Sequence, residues 1–257
     1  MSWMAHREEI LSAVQALPGE IGLWLENTRT GEALTWQAHQ PMEAASVIKL
    51  TIMAEAFRQR EAGELDFAQE IAIHREDKLP SCGALTYLHD GLRVQVGDLV
   101  TLMIILSDNT ATNLLIDLLG QERIQAGIQS LGFQETRLNR KLFRPELSAQ
   151  GIQNYVSAAE MAQLLRALLQ GTCVSPQADQ EMLEILLNQR LNGKIPFYLH
   201  DRGIPCAHKT GEDDGITHDV GILYLPEQPV LLCFLSNHTE VPAAERVLQE
   251  IARWAAD

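Results

Sequence analysis

Ala44-Ala45-Ser46-Val47-Ile48-Lys49-Leu50-Thr51-Ile52-Met53 is the stretch from which the rest of the chain is read. A serine and a lysine stand three residues apart, where small residues give way to an apolar run of helical character. If Ser46 opens a helix, Lys49 lies one turn further along the same face, within reach of the Ser46 hydroxyl. The free backbone N–H groups of a helix N-terminus then sit beside that hydroxyl, ready for a developing oxyanion. Lysine is rarely buried without a partner or a task, so its place inside Val-Ile-Lys-Leu-Thr-Ile-Met is the informative oddity. Alone, a serine three residues before a lysine is more often a cap beside a snorkelling side chain, and the remaining sequence has to decide.

At 257 residues the chain is long enough to bury a full core. Its 46% hydrophobic and 21% charged content is that of a globular enzyme. The net charge of −14, with no basic stripe, argues against a nucleic-acid partner. The N-terminal residues lack the apolar core of a signal peptide, and no run reaches the roughly 18 apolar residues of a membrane span. The expectation is a cytoplasmic protein without a membrane partner, unless a leader has been removed. Cys82, Cys173, Cys206 and Cys233 are widely spaced and read as free thiols. The eight histidines form no metal-ligand spacing, so neither a metal nor another cofactor is expected.

Residues 4 to 17 have helical spacing and stop at Pro18-Gly19. Residues 21 to 26 and 32 to 36 read as strands of a hairpin around Asn27-Thr-Arg-Thr-Gly31. Helical patterns dominate from 46 to 190, with segments after Ser46, over 98 to 106, over 109 to 119 before Gly120, and from about 122, 157 and 176. Strand character returns over 203 to 209, 218 to 224 and 230 to 236, followed by an amphipathic helix over 243 to 256. This order predicts an α+β fold: an antiparallel sheet flanked by the two terminal helices, with an inserted all-helical lobe. The sheet lobe is expected to comprise residues 1–42 and 196–257 and the helical lobe 43–195, with a cleft at their interface.

Two further motifs complete a set. Ser107-Asp108-Asn109 falls between two helical segments, and Lys209-Thr210-Gly211 ends the strand over 203 to 209. Singly each is a turn, a cap or a strand end; in this order, 61 and 102 residues apart, they form a far more specific signal. With them the chain resembles the penicillin-recognising serine hydrolases, above all the class A β-lactamases. The resemblance extends to Asn109-Thr-Ala-Thr-Asn-Leu-Leu115 and to Thr136-Arg-Leu-Asn-Arg140, which looks like the start of that family's omega loop.

A free serine hydroxyl is a poor nucleophile, so Ser46 needs a base. Lys49 can serve only if neutral, which means bringing a lysine from about 10.4 to near 7, roughly 4–5 kcal/mol of differential stabilisation. Burial and a second cation shift a lysine in that direction, and Lys209 is the evident second cation. The resemblance implies that Ser107 relays a proton to the leaving nitrogen, that Asn109 binds a substrate amide, and that Lys209 and Thr210 hold a substrate carboxylate. It places the oxyanion hole at the backbone N–H groups of Ser46 and Glu212.

The omega loop departs from the family. Efficient class A enzymes carry there a glutamate that activates the deacylating water. Anchoring on Thr136–Arg140 puts Leu142 at that position, and anchoring on Arg144-Pro-Glu-Leu-Ser148 puts Arg144 there. Ser148 replaces the family's water-holding asparagine, and in the first register Arg140 meets Tyr155, with Asn154 alongside, where an aspartate is expected. Glu146 is the one nearby carboxylate. Cys82, in Leu79-Pro-Ser-Cys-Gly83, is expected as a small buried hydrophobe near the cleft. The leading expectation is a serine hydrolase acting on a small molecule, a β-lactam or related ester or amide, through an acyl-enzyme on Ser46 that deacylates slowly. The alternatives are a cytosolic esterase or amidase for a small carboxylate-bearing substrate, and a non-catalytic β-lactam or muropeptide binder.

Overall fold

The computed structural model describes residues 3–80 and 82–257. The helix α1 (Arg7–Gln15), entered through a 3-10 turn, leads to β1 (Glu20–Asn27), β2 (Ala33–Trp36) and the two-residue β3 (Met42–Glu43). After the 3-10 turn Ala45–Ile48 comes α2 (Lys49–Glu61), then β4 (Glu70–Ile73), β5 (Leu92–Gln95), α3 (Val96–Ile105), α4 (Asn109–Leu119) and α5 (Gln121–Ser130). The chain continues through α6 (Pro145–Ser148), β6 (Tyr155–Val156), α7 (Ala158–Gln170) and α8 (Pro176–Leu187). It closes with β7 (Cys206–Asp213), β8 (Ile216–Tyr224), β9 (Pro229–Asn237) and α9 (Val241–Ala255).

Five strands form one antiparallel sheet in the order β2-β1-β9-β8-β7, so residues from both ends of the sequence meet in it. The two-residue period of a strand feeds two cores. Along β9, Val230, Leu232 and Phe234 join the cluster under α1 and α9, while Leu231, Cys233 and Leu235 join the larger cluster of the helical segments. On α9, Ala244, Leu248, Ile251, Ala252 and Ala255 recur at helical spacing and are buried against the sheet. α2 is buried almost all round from Lys49 to Phe57 and packs among α3, α4, α5 and α8.

The expected antiparallel sheet with terminal helices is present, and three local expectations are corrected. The inserted segment is not all helical: β3 pairs with β6 and β4 with β5. These pairs are two and four residues long, too short to stand out from the helical patterns around them. Ser46 does not cap an α-helix; it lies inside a 3-10 turn, and the α-helix starts at Lys49. Lys209-Thr210-Gly211 lies within β7 rather than at its end, because the hairpin to β8 carries pairing on to Asp213↔Ile216. No helix of the described residues is long and apolar enough to cross a membrane.

Candidate active site

The turn carrying Ser46 packs against β7, the edge strand of the sheet. Ala45, directly before the serine, sits at φ 42°, a left-handed conformation that a residue with a Cβ adopts only under constraint. Ser46 itself is half-buried and lines a cleft of about 870 Å³ together with Asn109 and Glu212. Lys49, Ser107, Lys209 and Thr210 are buried.

The buried groups form one network. The Lys49 amine donates to the Ser107 carbonyl at 2.7 Å, to Ser107 Oγ at 3.0 Å and to Asn109 Oδ1 at 2.9 Å. Lys209 Nζ reaches the same Ser107 Oγ at 3.1 Å and donates to the Thr210 carbonyl at 2.7 Å. Ser107 can present both oxygens to Lys49 because its backbone is left-handed, at φ 54°. A hydroxyl has one proton and two acceptor sites, and two ammonium groups on one hydroxyl repel each other. Burial, and then the neighbouring Lys209, hold the Lys49 pKa well below a lysine's ordinary value. Burial brings Lys209 down to about 7, a shift that Asp219 opposes. Three accepting oxygens around Nζ are the setting of an ammonium, and burial with Lys209 eases the loss of the proton that a base has to give up before it can accept another.

The aspartate of Ser-Asp-Asn is a structural joint. Asp108 caps α4 by accepting from the Ala111 N–H at 2.9 Å, and its other oxygen accepts from the N–H groups of Ala84 and Leu85 at 2.7 and 2.9 Å. Gly83 sits at φ +118°, and a Cβ there would lie 2.3 Å from Asp108 Oδ2. One turn into α4, Asn113 holds the opposite wall: its Oδ1 accepts from the Leu142 N–H at 2.9 Å and its Nδ2 donates to the Leu142 carbonyl at 3.0 Å. Leu142, Phe143, Arg144, Pro145 and Ser148 all line the cleft. Glu146 is exposed and hydrogen-bonded to Arg144, whose guanidinium holds its carboxyl below the usual range. Arg140 does not turn to Tyr155: it donates to the Ile152 carbonyl and to Gln153, while Asn154 accepts from the N–H groups of Asn139 and Arg140 at 2.8 and 3.0 Å. An amide thus braces the neck of this segment by backbone hydrogen bonds.

Several groups were not foreseen from the sequence. Lys194 is buried, donates to the carbonyls of Gly211 and His218, and lies 3.1 Å from the Glu212 carboxylate. It follows α8 in a segment without periodicity, so nothing in the sequence pointed to it. The Glu212 side chain thereby serves as an ion-pair partner, leaving its backbone N–H as the group of interest. Glu43 also lines the cleft, and its carbonyl accepts from His218 Nε2 at 2.8 Å. Burial lowers the His218 pKa to about 4, and its Nδ1 accepts from the Ser236 N–H, so this histidine is a neutral strut between β3 and β8. His208 is a second buried strut, paired with Asp219 and with Asn192. Cys82 is half-buried and lines the cleft, whereas Cys173, Cys206 and Cys233 are buried.

A sequence model of the β-lactamase enzyme family matches residues 5–257. The chain belongs to the β-lactamase enzyme family. It is similar to the extended-spectrum β-lactamase PER-1 of Pseudomonas aeruginosa, at 26% identity over 97% of this chain and 85% of that protein. A β-lactamase from Sphaerobacter thermophilus superposes with a TM-score of 0.90 at 31% identity, covering 99% of this chain and 97% of that one. PBP-A superposes with a TM-score of 0.88 at 25% identity, covering 100% of this chain and 96% of that one. A point mutant of PBP-A, with the same superposition, is described as an acyl-enzyme complex with penicillin G. The chain therefore has the class A β-lactamase fold and is a serine hydrolase of the acyl-enzyme kind.

Proposed function

We propose that Ser46 is the nucleophile of this β-lactamase-family enzyme and that β-lactams acylate it faster than they are released. The observation that carries the assignment is the buried Lys49 amine, held against Ser107 with Lys209 on the far side of the same hydroxyl. Neutral Lys49 takes the Ser46 proton as Oγ bonds to the substrate carbonyl carbon. The carbonyl π pair becomes the oxyanion, which the N–H groups of Ser46 and Glu212 receive; such donors are worth roughly 3–4 kcal/mol each. As the tetrahedral centre collapses and the C–N bond breaks, Ser107 gives its proton to the leaving nitrogen and is reprotonated from the lysines. Lys209 and Thr210 hold the substrate carboxylate, and Asn109 accepts or donates to its amide.

Release of the acyl group requires an activated water. The omega segment contributes Leu142 and Arg144 to the cleft, and the carboxylates lining the cleft are Glu43, Glu212, Asp213 and Asp214. Asn113 fixes the backbone of Leu142, the residue that the first sequence register sets at the position of the family's glutamate. Lack of a positioned base slows a step by roughly 10²–10⁴-fold. Penicillin G is accordingly expected to give a burst near one equivalent, then slow turnover, with an adduct on Ser46 by intact mass. The acyl-enzyme complex of a PBP-A mutant with penicillin G, on a related fold, supports acylation as the first half of the reaction. Labelling with penicillin G, an activated ester and a D-Ala-D-Ala peptide side by side distinguishes a β-lactam enzyme from an esterase or a peptidase. Rapid penicillin turnover without an adduct overturns the slow-release reading and directs attention to Glu43.

A further inference from the structure

Lys194 is buried, although it lies in the loop after α8 and has no part in the proposed proton transfers. A lysine is rarely buried without a partner or a task. Its amine donates to the Gly211 carbonyl at 3.1 Å and to the His218 carbonyl at 3.2 Å, on facing residues of β7 and β8. The peptide unit that supplies the Gly211 carbonyl also supplies the Glu212 N–H. No described peptide bond is cis, so this N–H points the opposite way from the carbonyl that Lys194 holds. A Cβ on Gly211 would lie 3.2 Å from Cγ2 of Val47, the residue after Ser46, so the same peptide is pressed against the turn that carries the nucleophile.

The side chain of Glu212 works against the task of its backbone. It lines the cleft, and a carboxylate on the residue that donates to an oxyanion sets one negative charge beside another that is forming. Lys194 lies 3.1 Å from that carboxylate. Glu245 approaches the same amine at 3.9 Å and accepts from the Thr217 hydroxyl at 3.0 Å, which helps to fix the amine from the side of α9. One buried amine therefore meets both the carbonyl and the side chain of the Gly211–Glu212 unit. A carbonyl that accepts from a charged donor polarises its peptide and strengthens the N–H at the other end.

We propose that Lys194 is a positioning residue for the oxyanion hole: it orients and polarises the Gly211–Glu212 peptide and offsets the Glu212 carboxylate, so that the Glu212 N–H receives the oxyanion. The inference rests on the acyl-enzyme reading of Ser46 and on the Glu212 N–H as an oxyanion donor. A cation that held the substrate carboxylate would matter only to substrates that carry one. Support of the oxyanion matters to every acyl donor. Loss of one hydrogen bond to a charged group corresponds to roughly ten- to hundredfold.

The test measures acylation of Ser46 by penicillin G, which carries a carboxylate, and by p-nitrophenyl acetate, which carries none. It also records the infrared band of the acyl carbonyl in the penicilloyl adduct. Lys194→Met should slow both reactions by a similar factor, roughly ten- to hundredfold, and move the band to higher frequency, because weaker donors leave the carbonyl more double-bonded. Lys194→Gln keeps a neutral donor and should give intermediate rates and an intermediate band, which serves where the methionine variant does not fold. Glu212→Gln added to Lys194→Met keeps the backbone N–H, removes the uncompensated charge and should recover part of both rates. A loss confined to penicillin G overturns the proposal and makes Lys194 a carboxylate-binding cation. Equal losses with an unmoved band overturn it as well, since they mark a residue that only holds the fold, and so do unchanged rates. No adduct on wild-type Ser46 with either compound overturns the acyl-enzyme reading itself, and the role of Lys194 with it.

Discussion

Lys49 and Lys209 show how two identical side chains acquire different tasks from their surroundings. Both are buried and both reach Ser107 Oγ; after burial the largest influence on Lys49 is Lys209, which lowers its pKa further, whereas on Lys209 it is Asp219, which raises it. The proposed proton acceptor and the proposed carboxylate-binding cation thereby have different surroundings. Lys49→Arg should cut acylation by roughly 10²–10⁴-fold despite the conserved charge, because a guanidinium cannot deprotonate in this range. Wild-type-like acylation in that variant would mean that Lys49 acts as a fixed charge. Lys209, with a pKa of about 7, is cationic below that pH and neutral above it. Carboxylate binding should therefore weaken as pH rises through about 7, read as a rising KM in a stopped-flow acylation series, and Lys209→Arg should flatten that rise. An unchanged profile in the arginine variant would assign the limb to another group.

At the scale of elements, α4 and the omega segment decide how far the sequence could be read. Ser107-Asp108-Asn109 was legible as a motif, and so was the helix it starts, because Asp108 is a good cap and Gly120 a good stop. Its role in holding the wall at Leu142 was not, since Asn113 looks in sequence like an ordinary polar position on a helix face. The omega register stayed open for a related reason: a loop without periodicity is fixed only by contacts distant in sequence, here Asn113 to Leu142 and Asn154 to Asn139 and Arg140. Lys194 and Glu43 were missed because their relevance arises only where β7, β8 and the Ser46 turn converge. Two substitutions test this reading. Leu142→Glu should speed deacylation more than Arg144→Glu, as judged by the lifetime of the penicilloyl adduct, if Asn113 fixes residue 142 toward the water; the reverse order would favour the second register. Glu146→Gln should leave that lifetime unchanged, since its carboxylate is turned to Arg144. Gly83→Ala should destabilise the protein by roughly 2–3 kcal/mol in urea unfolding, because its Cβ would collide with Asp108 in a backbone conformation that alanine resists.

For the molecule as a whole, groups that the chemistry does not use add to the dependence of stability on pH. Glu135 is hydrogen-bonded to Glu160, whose carboxylate already accepts from the N–H groups of Gln134, Glu135 and Thr136 at the start of the omega segment. That bond, with burial and the neighbouring negative charge, raises the Glu135 pKa from 4.5 to about 7. The folded protein then holds a proton that the unfolded chain has lost, so this contribution is fully present below about 4.5 and disappears as pH rises through about 7. His218 acts in the opposite sense: with its pKa lowered from 6.5 to about 4, it costs stability as pH falls from 6.5 toward 4. The two trends oppose each other between about 4.5 and 6.5. Glu135→Gln removes one of them. Compared with wild type, the variant should gain stability steadily as pH is raised from about 4.5 to 7 and hold that gain above it, because glutamine never places a second negative charge beside Glu160. Urea unfolding at about pH 5 and about pH 8, on either side of that rise, is the measurement. An advantage for Glu135→Gln that is equal at both values would show that the carboxyl pair does not share a proton in the folded state.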